Sequence, residues 1–402
     1  MARELWINTY LRFISLLFAF YRPFPVKRKV VMVVSFAENN IELYKEMKNS
    51  LSCETIFITN KKQHSNFVKF NDAITLLFQV QHFVQFLRSI YHLSTAKIVF
   101  VDNYYGFLAA ARFKKGVKCI QLWHANGAIK KFGLEDQSIR HRGKRARERF
   151  QQVYDKFEHV VVGSDAMGEI FQQAFGLDES RILKTGVPRT DVFWNKDYKQ
   201  EAIRKIKSRY PFLSSKKVIL YAPTYRDEQI NQYKLSLDLD LFKKELGNDY
   251  ILLLRLHPAV KSELNLSKDL QDFILDVSNY SSLNELLFIT DILITDYSSI
   301  PFEFSFLNKP MIFYPYDLNQ YKESRGFWED YQNLVPGPIV FSNEEIISTI
   351  KSQDFDYTRI ADFNIKWNEF SQGYSCKNIV EFIKVHLSEN MQSELIKSSS
   401  SQ

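Results

Sequence analysis

The chain has 402 residues, 45% of them hydrophobic and 25% charged, and its 53 basic side chains exceed its 46 acidic ones. This composition is typical of a soluble globular protein of two or three domains, and it excludes a disordered chain, a fibrous repeat and a polytopic membrane protein. Only 13 glycines occur, and no two stand as Gly-x-Gly, which excludes a dinucleotide fingerprint and a P-loop. Side chains and helix N-termini must therefore hold any phosphate that the protein binds.

The cysteines and histidines do not form a metal-binding pattern. Cys53, Cys119 and Cys376 are odd in number and far apart, so we expect buried, reduced thiols instead of a disulfide framework. No pair of histidines has the spacing of a zinc site. The sequence therefore predicts no resident metal or cofactor, and a requirement for Mg²⁺ stays open.

Residues 1–29 are basic and aromatic. They hold six Lys or Arg side chains against one acid, Glu4, together with seven aromatic rings. The longest apolar stretch, Phe13–Tyr21, has nine residues, whereas a helix that crosses a bilayer needs about 20. The segment also lacks the small-residue cleavage site of a signal peptide. We expect a helix that lies in the membrane interface; the alternative is a terminal helix packed on the protein itself.

A second basic run lies between Arg140 and Arg149, where six cations are diluted only by Glu148. Such runs are usually solvated helix faces, but two of them in one chain favour an anionic surface as a partner. Nucleic acid would satisfy the charge equally well. Because no nucleic-acid-binding signature accompanies the charge, we expect a membrane surface and no nucleic acid.

Short β-branched runs alternate with helical patterns along most of the chain. Five runs in the first half predict buried strands at Val30–Ser35, Thr55–Thr59, Lys97–Val101, Lys118–Leu122 and His159–Gly163. Five more predict strands at Lys217–Tyr221, Tyr250–Leu256, Phe273–Val277, Asp291–Thr295 and Pro310–Tyr314. Strands that alternate with helices form parallel sheets covered on both faces. The fold class is therefore α/β.

The two series of strands predict two similar domains. A charged helix near Gln200–Tyr210 and the break at Pro211 separate them. We expect Rossmann-like, doubly wound domains at 30–205 and 206–390 that face a cleft. The serine-rich end, residues 391–402, is expected to be a disordered tail.

Ligands of open parallel sheets bind beyond the carboxyl ends of the strands, so polar residues in those positions are site candidates. The first cluster, residues 121–127, follows a strand and contains His124, which can take a proton from a hydroxyl near neutral pH. The small residues Ala125 and Gly127 would let a substrate approach the backbone. The alternative is that His124 is a hydrogen-bonded structural residue.

Two further clusters follow predicted strands. Arg255 and His257 share one strand face and together suit a phosphate; the alternative is that Arg255 pairs with a local carboxylate. Ser298 and Ser299 precede a helix that begins near Pro301, where their hydroxyls and the helix N–H groups make an anion site without glycine. The alternative is that the two serines only cap that helix.

The order and spacing of the motifs are more specific than any one of them. They read W-H-A-N-G-A-I-K-K-F-G (123–133), G-V-P-R-T-D (186–191), Y-A-P-T-Y-R-D (221–227), R-L-H-P (255–258), I-T-D-Y-S-S (294–299) and R-G-F-W-E-D-Y…P-G-P (325–338). This series resembles the CDP-glycerol glycerophosphotransferase family over about residues 98–345. The family has the GT-B fold, and the resemblance implies an acceptor domain followed by a CDP-donor domain.

The resemblance implies a role for each matching residue. His124 is implied as the general base, and His257 as a second required histidine near the transferred phosphate. Donor contacts are implied for Arg189, Thr224, Arg255, Ser298, Ser299 and Asp330. The remaining substrate-binding positions in the motifs are Trp123, Ala125, Asn126, Gly127, Pro223 and Arg325.

The resemblance also implies the reaction. A glycerol phosphate unit would pass from CDP-glycerol to a hydroxyl of a disaccharide on undecaprenyl pyrophosphate, with release of CMP, at the cytoplasmic face of the membrane. Ala125-Asn126-Gly127 stands where long polymerases carry Gly-Thr-Pro, which favours a short, primase-type member in wall teichoic acid synthesis. The alternatives are a short glycerol- or ribitol-phosphate polymerase, and a basic membrane- or RNA-binding protein with an inactive site.

Overall fold

The computed structural model describes residues 2–224, 226, 235–256 and 267–399. Within these ranges the chain divides into two compact units. The first unit contains residues 1–126, 132–191 and 369–402, and the second contains residues 127–131 and 192–368. Every strand pair between described residues is parallel. The α/β class with parallel sheets is thus confirmed.

In the described part of the first unit, seven strands form one sheet in the order β3-β2-β1-β4-β5-β6-β7. These strands are β1 (Lys27–Val34), β2 (Glu54–Thr59), β3 (Ile74–Leu77), β4 (Ala96–Val101), β5 (Lys118–Gln121), β6 (His159–Val161) and β7 (Ile182–Leu183). The helices up to residue 191 are α1 (Ala2–Phe20), α2 (Ala37–Ser50), α3 (Lys61–Phe67), α4 (Phe83–Thr95), α5 (Gln137–Arg140), α6 (Lys144–Tyr154) and α7 (Asp165–Phe175).

The second unit is built in the same way. Its described residues form a five-stranded sheet in the order β10-β9-β8-β11-β12. The strands are β8 (Lys217–Tyr221), β9 (Tyr250–Leu254), β10 (Ile274–Asp276), β11 (Ile292–Thr295) and β12 (Met311–Phe313). The helices are α8 (Lys196–Arg209), α9 (Leu239–Leu246), α10 (Leu283–Ile289), α11 (Ile300–Phe304), α12 (Leu318–Arg325), α13 (Tyr331–Leu334), α14 (Asn343–Ser352) and α15 (Tyr357–Asn368).

All ten predicted strands are present, but two short strands were missed. β3 has four residues and β7 has two, and both lie partly exposed at the ends of the sheet. Runs so short give little periodic signal. The basic run between Arg140 and Arg149 is divided between two helices, because Gly143 stands in extended backbone as the N-cap of α6 and separates it from α5.

Helix α8 belongs as a whole to the second unit, and the last helix, α16 (Ser375–Ser399), belongs to the first. On α16, Ile379 and Ile383 join a buried cluster with Val30 of β1 and Leu43 of α2. An amphipathic pattern shows that a helix packs but not on which sheet.

Helix α1 is half packed and half exposed. Ile14 and Phe18 are buried, and Phe13 stacks on Phe86 of α4 with 6.3 Å between ring centroids. Leu16 and Phe20, each two residues on and so roughly opposite around the helix, are 69% and 68% exposed. In the described part of the chain, no helix is long and apolar enough to cross a bilayer.

We expect Ile383→Ala to lower the free energy of unfolding of the first unit by about 2–5 kcal/mol, because it removes buried methyl groups and leaves a cavity. Val385, two residues on and 62% exposed, provides the matched control, and Val385→Ala should change stability by less than about 0.5 kcal/mol. Urea unfolding followed by circular dichroism measures both. Equal effects of the two substitutions would show that α16 does not stabilise the core.

Candidate functional site

The sequence-predicted residues lie at the carboxyl edges of both sheets. In the first unit, Trp123 and His124 follow β5. In the second unit, Thr224 follows β8, Arg255 follows β9, and Ser298 comes three residues after the end of β11. This edge is where open parallel sheets bind ligands, so each unit presents its candidate residues on the side suited to a site.

The imidazole of His124 is held between two aromatic rings and one backbone carbonyl. Its ring stacks on Phe36 with 4.3 Å between centroids and lies 4.4 Å from the ring of Trp123. Its Nδ1 is 3.1 Å from the carbonyl oxygen of Asp102. Because a carbonyl only accepts, Nδ1 carries the hydrogen, which leaves the lone pair of the neutral ring on Nε2. This is the tautomer that a general base needs.

The backbone at Trp123 is strained. Its φ of 56° lies in the left-handed region, which costs a bulky residue about 1–2 kcal/mol. The Trp123 N–H donates to Oε1 of Gln121 at 2.9 Å, and its carbonyl accepts from Nδ2 of Asn39 at 2.9 Å. The indole stacks on Phe132 with 4.8 Å between centroids. Such strain persists only where surrounding contacts fix it, and it is concentrated at functional sites.

Asp102, which the sequence analysis missed, is fully buried at the end of β4. Its carboxylate accepts from the N–H groups of Ser35 and Phe36, from Nδ2 of Asn40 and from the hydroxyl of Tyr105 at 2.6 Å. Burial raises the pKa of Asp102 to about 6, against the opposing effect of these hydrogen bonds. Asp102 thereby fixes Phe36 and its own carbonyl, the two groups that hold the ring of His124.

Arg189 is brought to the same place by the loop after β7. Its N–H donates to Oδ1 of Asn39 at 3.0 Å, and its Nη1 donates to the carbonyl of His124 at 3.0 Å. Asn39 thus connects the loops after β5 and β7, because its amide nitrogen already donates to Trp123. The predicted residues Trp123, His124 and Arg189 therefore form one connected group.

The segment after His124 crosses into the second unit, where it contacts two other predicted clusters. A Cβ on Gly127 would lie 2.2 Å from Cδ1 of Phe302 in α11, so glycine is needed here for packing. The N–H of Lys131 donates to the carbonyl of Gly326 at 3.1 Å, and that of Trp328 donates to the carbonyl of Ile129 at 3.1 Å. The preceding residues differ in burial: Ala125 is half-buried, and Asn126 is buried.

In the second unit, Arg226 joins three segments at the sheet edge. Its Nε and Nη2 donate to the two oxygens of Asp317 at 2.6 and 2.8 Å, and Nη2 also donates to Asp296 at 3.0 Å. Its Nη1 donates to the carbonyl of Thr224. The guanidinium carbon lies 5.1 Å from the ring centre of Tyr297. Burial opposes the charge of Arg226, but the contacts with Asp317 and Asp296 outweigh it and raise its pKa.

In the I-T-D-Y-S-S motif, Asp296 has a structural role that the sequence did not predict. Asp296 is buried and accepts from the N–H of Thr224 at 2.8 Å. The hydroxyl of Ser298 accepts from the N–H of Ile300 at 3.3 Å, which is a capping contact for α11. The side chain of Ser299 makes no such cap bond. Of the two predicted serines, Ser298 caps the helix and Ser299 is half-buried beside it.

Arg255 lies beside the end of β10. Its Nη1 donates to the carbonyl of Tyr280 at 2.9 Å and to that of Val277 at 3.3 Å. Both of these contacts are with backbone oxygens. His257, predicted as the second functional histidine, lies outside the described residues.

The remaining predicted residues lie in three different places. Pro223 is half-buried directly after β8. Arg325 is exposed in the last turn of α12. Asp330 is the N-cap of α13, where its carboxylate accepts from the N–H of Gln332 at 3.0 Å. Among the residues that the structure describes, no group of three or more His, Cys, Asp or Glu side chains could hold a metal ion.

Some of the site residues that were not predicted had a recognisable position in the sequence. Asp102 directly follows the predicted strand Lys97–Val101, so the rule that identified His124 applies to it equally. Arg226 and Asp296 stand inside motifs already singled out. Asn39 gave no signal, because a buried asparagine in the first turn of a helix resembles any polar helix residue.

The sequence matches a known protein family over most of its length. Residues 16–385 match the family described as CDP-Glycerol:Poly(glycerophosphate) glycerophosphotransferase. The teichoic acid glycerol-phosphate primase of Bacillus subtilis (strain 168) is 37% identical over 383 residues, which are 95% of this chain and 98% of that protein. The teichoic acid poly(ribitol-phosphate) polymerase of Bacillus spizizenii is also 37% identical, but over 73% of this chain and 47% of that protein.

The fold is similar to that of a solved relative. A structure of a variant of the wall teichoic acid polymerase TagF, soaked with CDPG, superposes with a TM-score of 0.80 at 27% identity. The match covers 96% of each chain. The likeness therefore extends over both units.

We expect Arg226→Lys to destabilise the second unit by about 1.5–3 kcal/mol, since one ammonium cannot replace the forked contact with Asp317 and the bond to Asp296. The matched control is Arg204→Lys on α8, where Arg204 is 72% exposed and paired with Glu201; it should cost less than about 0.5 kcal/mol. Thermal unfolding measures both. A shift no larger than that of the control would show that Arg226 does not organise this edge.

Proposed function

The chain belongs to the CDP-glycerol:poly(glycerophosphate) glycerophosphotransferase family, and we propose that it is a primase that transfers glycerol phosphate from CDP-glycerol to a hydroxyl of a membrane-bound, lipid-linked disaccharide in wall teichoic acid synthesis. The observation that carries the proposal is the tautomer of His124. A histidine whose Nδ1–H is committed to the Asp102 carbonyl presents Nε2 as a base, and an acceptor hydroxyl needs such a base to attack phosphorus.

The proposed reaction is one displacement at phosphorus. The acceptor oxygen bonds to the phosphorus that carries glycerol, and its proton passes to Nε2 of His124. The bond from that phosphorus to the bridging oxygen breaks, and CMP leaves with the electron pair. CMP is a weakly basic leaving group, so it needs charge stabilisation more than a proton.

Donor binding is assigned to the second unit. Arg255, held by the carbonyls of Val277 and Tyr280, would place a cation at the end of β9, and Ser299 would add a hydroxyl beside α11. Thr224, Ser298, Arg325, Asp330 and, by resemblance, His257 complete the proposed contacts. Two open parallel sheets with site residues at their carboxyl edges support a GT-B assignment. TagF soaked with CDPG supports CDP-glycerol as the donor.

Coverage favours a primase over a polymerase. The chain spans nearly the whole B. subtilis primase but about half of the poly(ribitol-phosphate) polymerase. The second candidate is a short polymerase or ribitol-phosphate transferase, which the similarity to that polymerase supports. Mass spectrometry of a synthetic lipid-linked disaccharide incubated with CDP-glycerol or CDP-ribitol tests both. One added glycerol phosphate is expected; a ladder of products or a ribitol adduct supports the second candidate.

We expect His124→Gln to lower transfer by roughly 10²–10⁴-fold, the usual contribution of a general base, while CDP-glycerol binds as before. His141→Gln is the matched control, since His141 is exposed at the end of α5, and it should retain activity. CMP release measures transfer, and calorimetry measures donor binding. Loss of donor affinity in a folded His124→Gln variant would make His124 a binding residue instead.

We also propose that the exposed apolar face of α1 lies in the membrane surface. Leu5, Leu16 and Phe20 are exposed on this helix, and residues 1–29 have a net charge of +5 from six cations and one acid. Apolar contact and attraction to anionic lipid together suffice for reversible attachment. The protein would then work as a peripheral protein at the cytoplasmic face.

The double variant Leu16→Glu, Phe20→Glu should no longer pellet with vesicles of phosphatidylglycerol and phosphatidylcholine. Deleting the helix is a poorer test, because it would also uncover the partners of Ile14 and Phe18. Val385→Glu, an exposed apolar position on α16, is the control and should sediment with vesicles like the unchanged chain. Retained binding of the double variant would place the membrane contact elsewhere.

A further inference from the structure

Two adjoining cavities lie between α1 and α6 in the first unit, away from the predicted motifs. The larger has a volume of about 920 Å³ and the smaller about 530 Å³. Leu11 and Arg149 line both, so the two cavities adjoin at these residues, and the pair of cavities is called the α1–α6 groove. Volumes of roughly 300–1,000 Å³ are those of small-molecule sites.

A charged contact joins the two helices that line this groove. Arg149 of α6 donates from Nη1 and Nη2 to the two oxygens of Glu4 at 2.7 and 2.9 Å. Forked contacts of this kind are the strongest and most directional of the side-chain ion pairs. The two basic segments of the sequence, residues 1–29 and the run before Arg149, therefore meet here as the two walls of one groove.

The smaller cavity is basic. Five cations line it against one carboxylate, Glu148. The cations are Arg12, Arg112, Arg145, Arg149 and Lys156. Arginine forks match the oxygens of phosphate and pyrophosphate groups. The chemistry of this cavity suits a pyrophosphate.

The larger cavity is aromatic with polar edges. Its wall includes Trp6, Tyr10, Tyr104 and Phe150, and the rings of Tyr104 and Phe150 lie 5.0 Å apart between centroids. The guanidinium of Arg142 lies 5.2 Å from the ring centre of Phe150. Aromatic faces with a few charged and hydroxyl groups at the edge suit a sugar, which has apolar ring faces and polar rims.

The aromatic cavity is connected to His124 through hydrogen bonds. Tyr105 lines the cavity, and its hydroxyl donates to Asp102, whose carbonyl accepts from Nδ1 of His124. At the other end, the basic cavity is lined by Arg12 and Ser15, and the exposed Leu16 and Phe20 follow within about one and a half turns of Ser15 on α1. On α1, therefore, Tyr10 of the aromatic cavity, Arg12 of the basic cavity and the exposed Leu16 follow one another in that order.

From this order we propose that the groove between α1 and α6 binds the acceptor as a glycosyl pyrophosphate lipid. The pyrophosphate occupies the basic cavity and the sugar occupies the aromatic cavity, while the lipid chain stays in the membrane beside α1. The proposal rests on the proposed function, because the groove binds the acceptor of that reaction. It assigns binding roles to residues that lie outside the six sequence motifs.

The test uses the full chain and a synthetic disaccharide on farnesyl pyrophosphate as the probe. We expect Arg112→Gln with Arg145→Gln to raise the acceptor KM at least 10-fold, with kcat and CDP-glycerol affinity unchanged. Ala146→Trp, which fills the aromatic cavity from α6, should also raise the acceptor KM. Arg147→Gln is the matched control, because Arg147 is an exposed cation on α6 that lines neither cavity.

Calorimetric binding of the same probe separates this proposal from the proposed function. Loss of probe binding in the variants but not in the control supports the groove even if CMP release is absent, a result that would refute only the transferase assignment. Unchanged acceptor KM and unchanged probe binding in both variants overturn the groove while transfer by the unchanged chain stands. If Arg112→Gln with Arg145→Gln loses only binding to phosphatidylglycerol vesicles, the cations serve the membrane surface and the groove proposal is overturned.

Discussion

The first unit depends on one buried carboxylate, Asp102, and on the first turn of α2 beside it. Asp102 accepts from the loop after β1 and from Tyr105, and Asn40 of α2 donates to it at 2.9 Å. Asn39, the neighbouring residue, contacts the loops after β5 and β7. Four loops at one sheet edge are thus fixed to each other by hydrogen bonds between buried polar groups. Such networks make a site rigid. The ring of His124 and the strained backbone of Trp123 are held by that network.

In the second unit, a cation holds the loops at the sheet edge together, whereas in the first unit a carboxylate does so. Arg226 is a half-buried cation that connects Thr224, Asp296 and Asp317, which follow three different strands. Its charge is neutralised by the two carboxylates, so its role is to position the loops. In both units the residue that organises the edge differs from the residues proposed to contact substrate. Electrostatic catalysis needs such prior positioning, because donors that must reorganise during the reaction stabilise its transition state less.

The sequence predicted the strands well because parallel strands are apolar on both faces and end abruptly in polar residues. It also placed Trp123, His124 and Arg255 at sheet edges correctly, since the position of a residue after a strand is local information. It did not predict that α16 returns to the first unit, or that Gly127 packs on Phe302. These are contacts between residues far apart in the chain, and neither propensity nor periodicity reports them. Asp102 lies between these cases, because its position after a strand could be read from the sequence but its hydrogen-bond partners could not.

The N-terminal helix α1 has one packed face and one exposed face. Ile14 and Phe18 of α1 pack on the protein, while Leu16 and Phe20 are exposed, so composition alone could not have separated a packed helix from a surface-binding one. The Glu4–Arg149 contact then explains why two basic runs far apart in sequence belong together. One acid in α1 binds one cation of α6, and Arg12 of α1 and Arg145 of α6 line the cavity beside that contact. A basic segment of this kind is better understood from the groove that it lines than from its net charge.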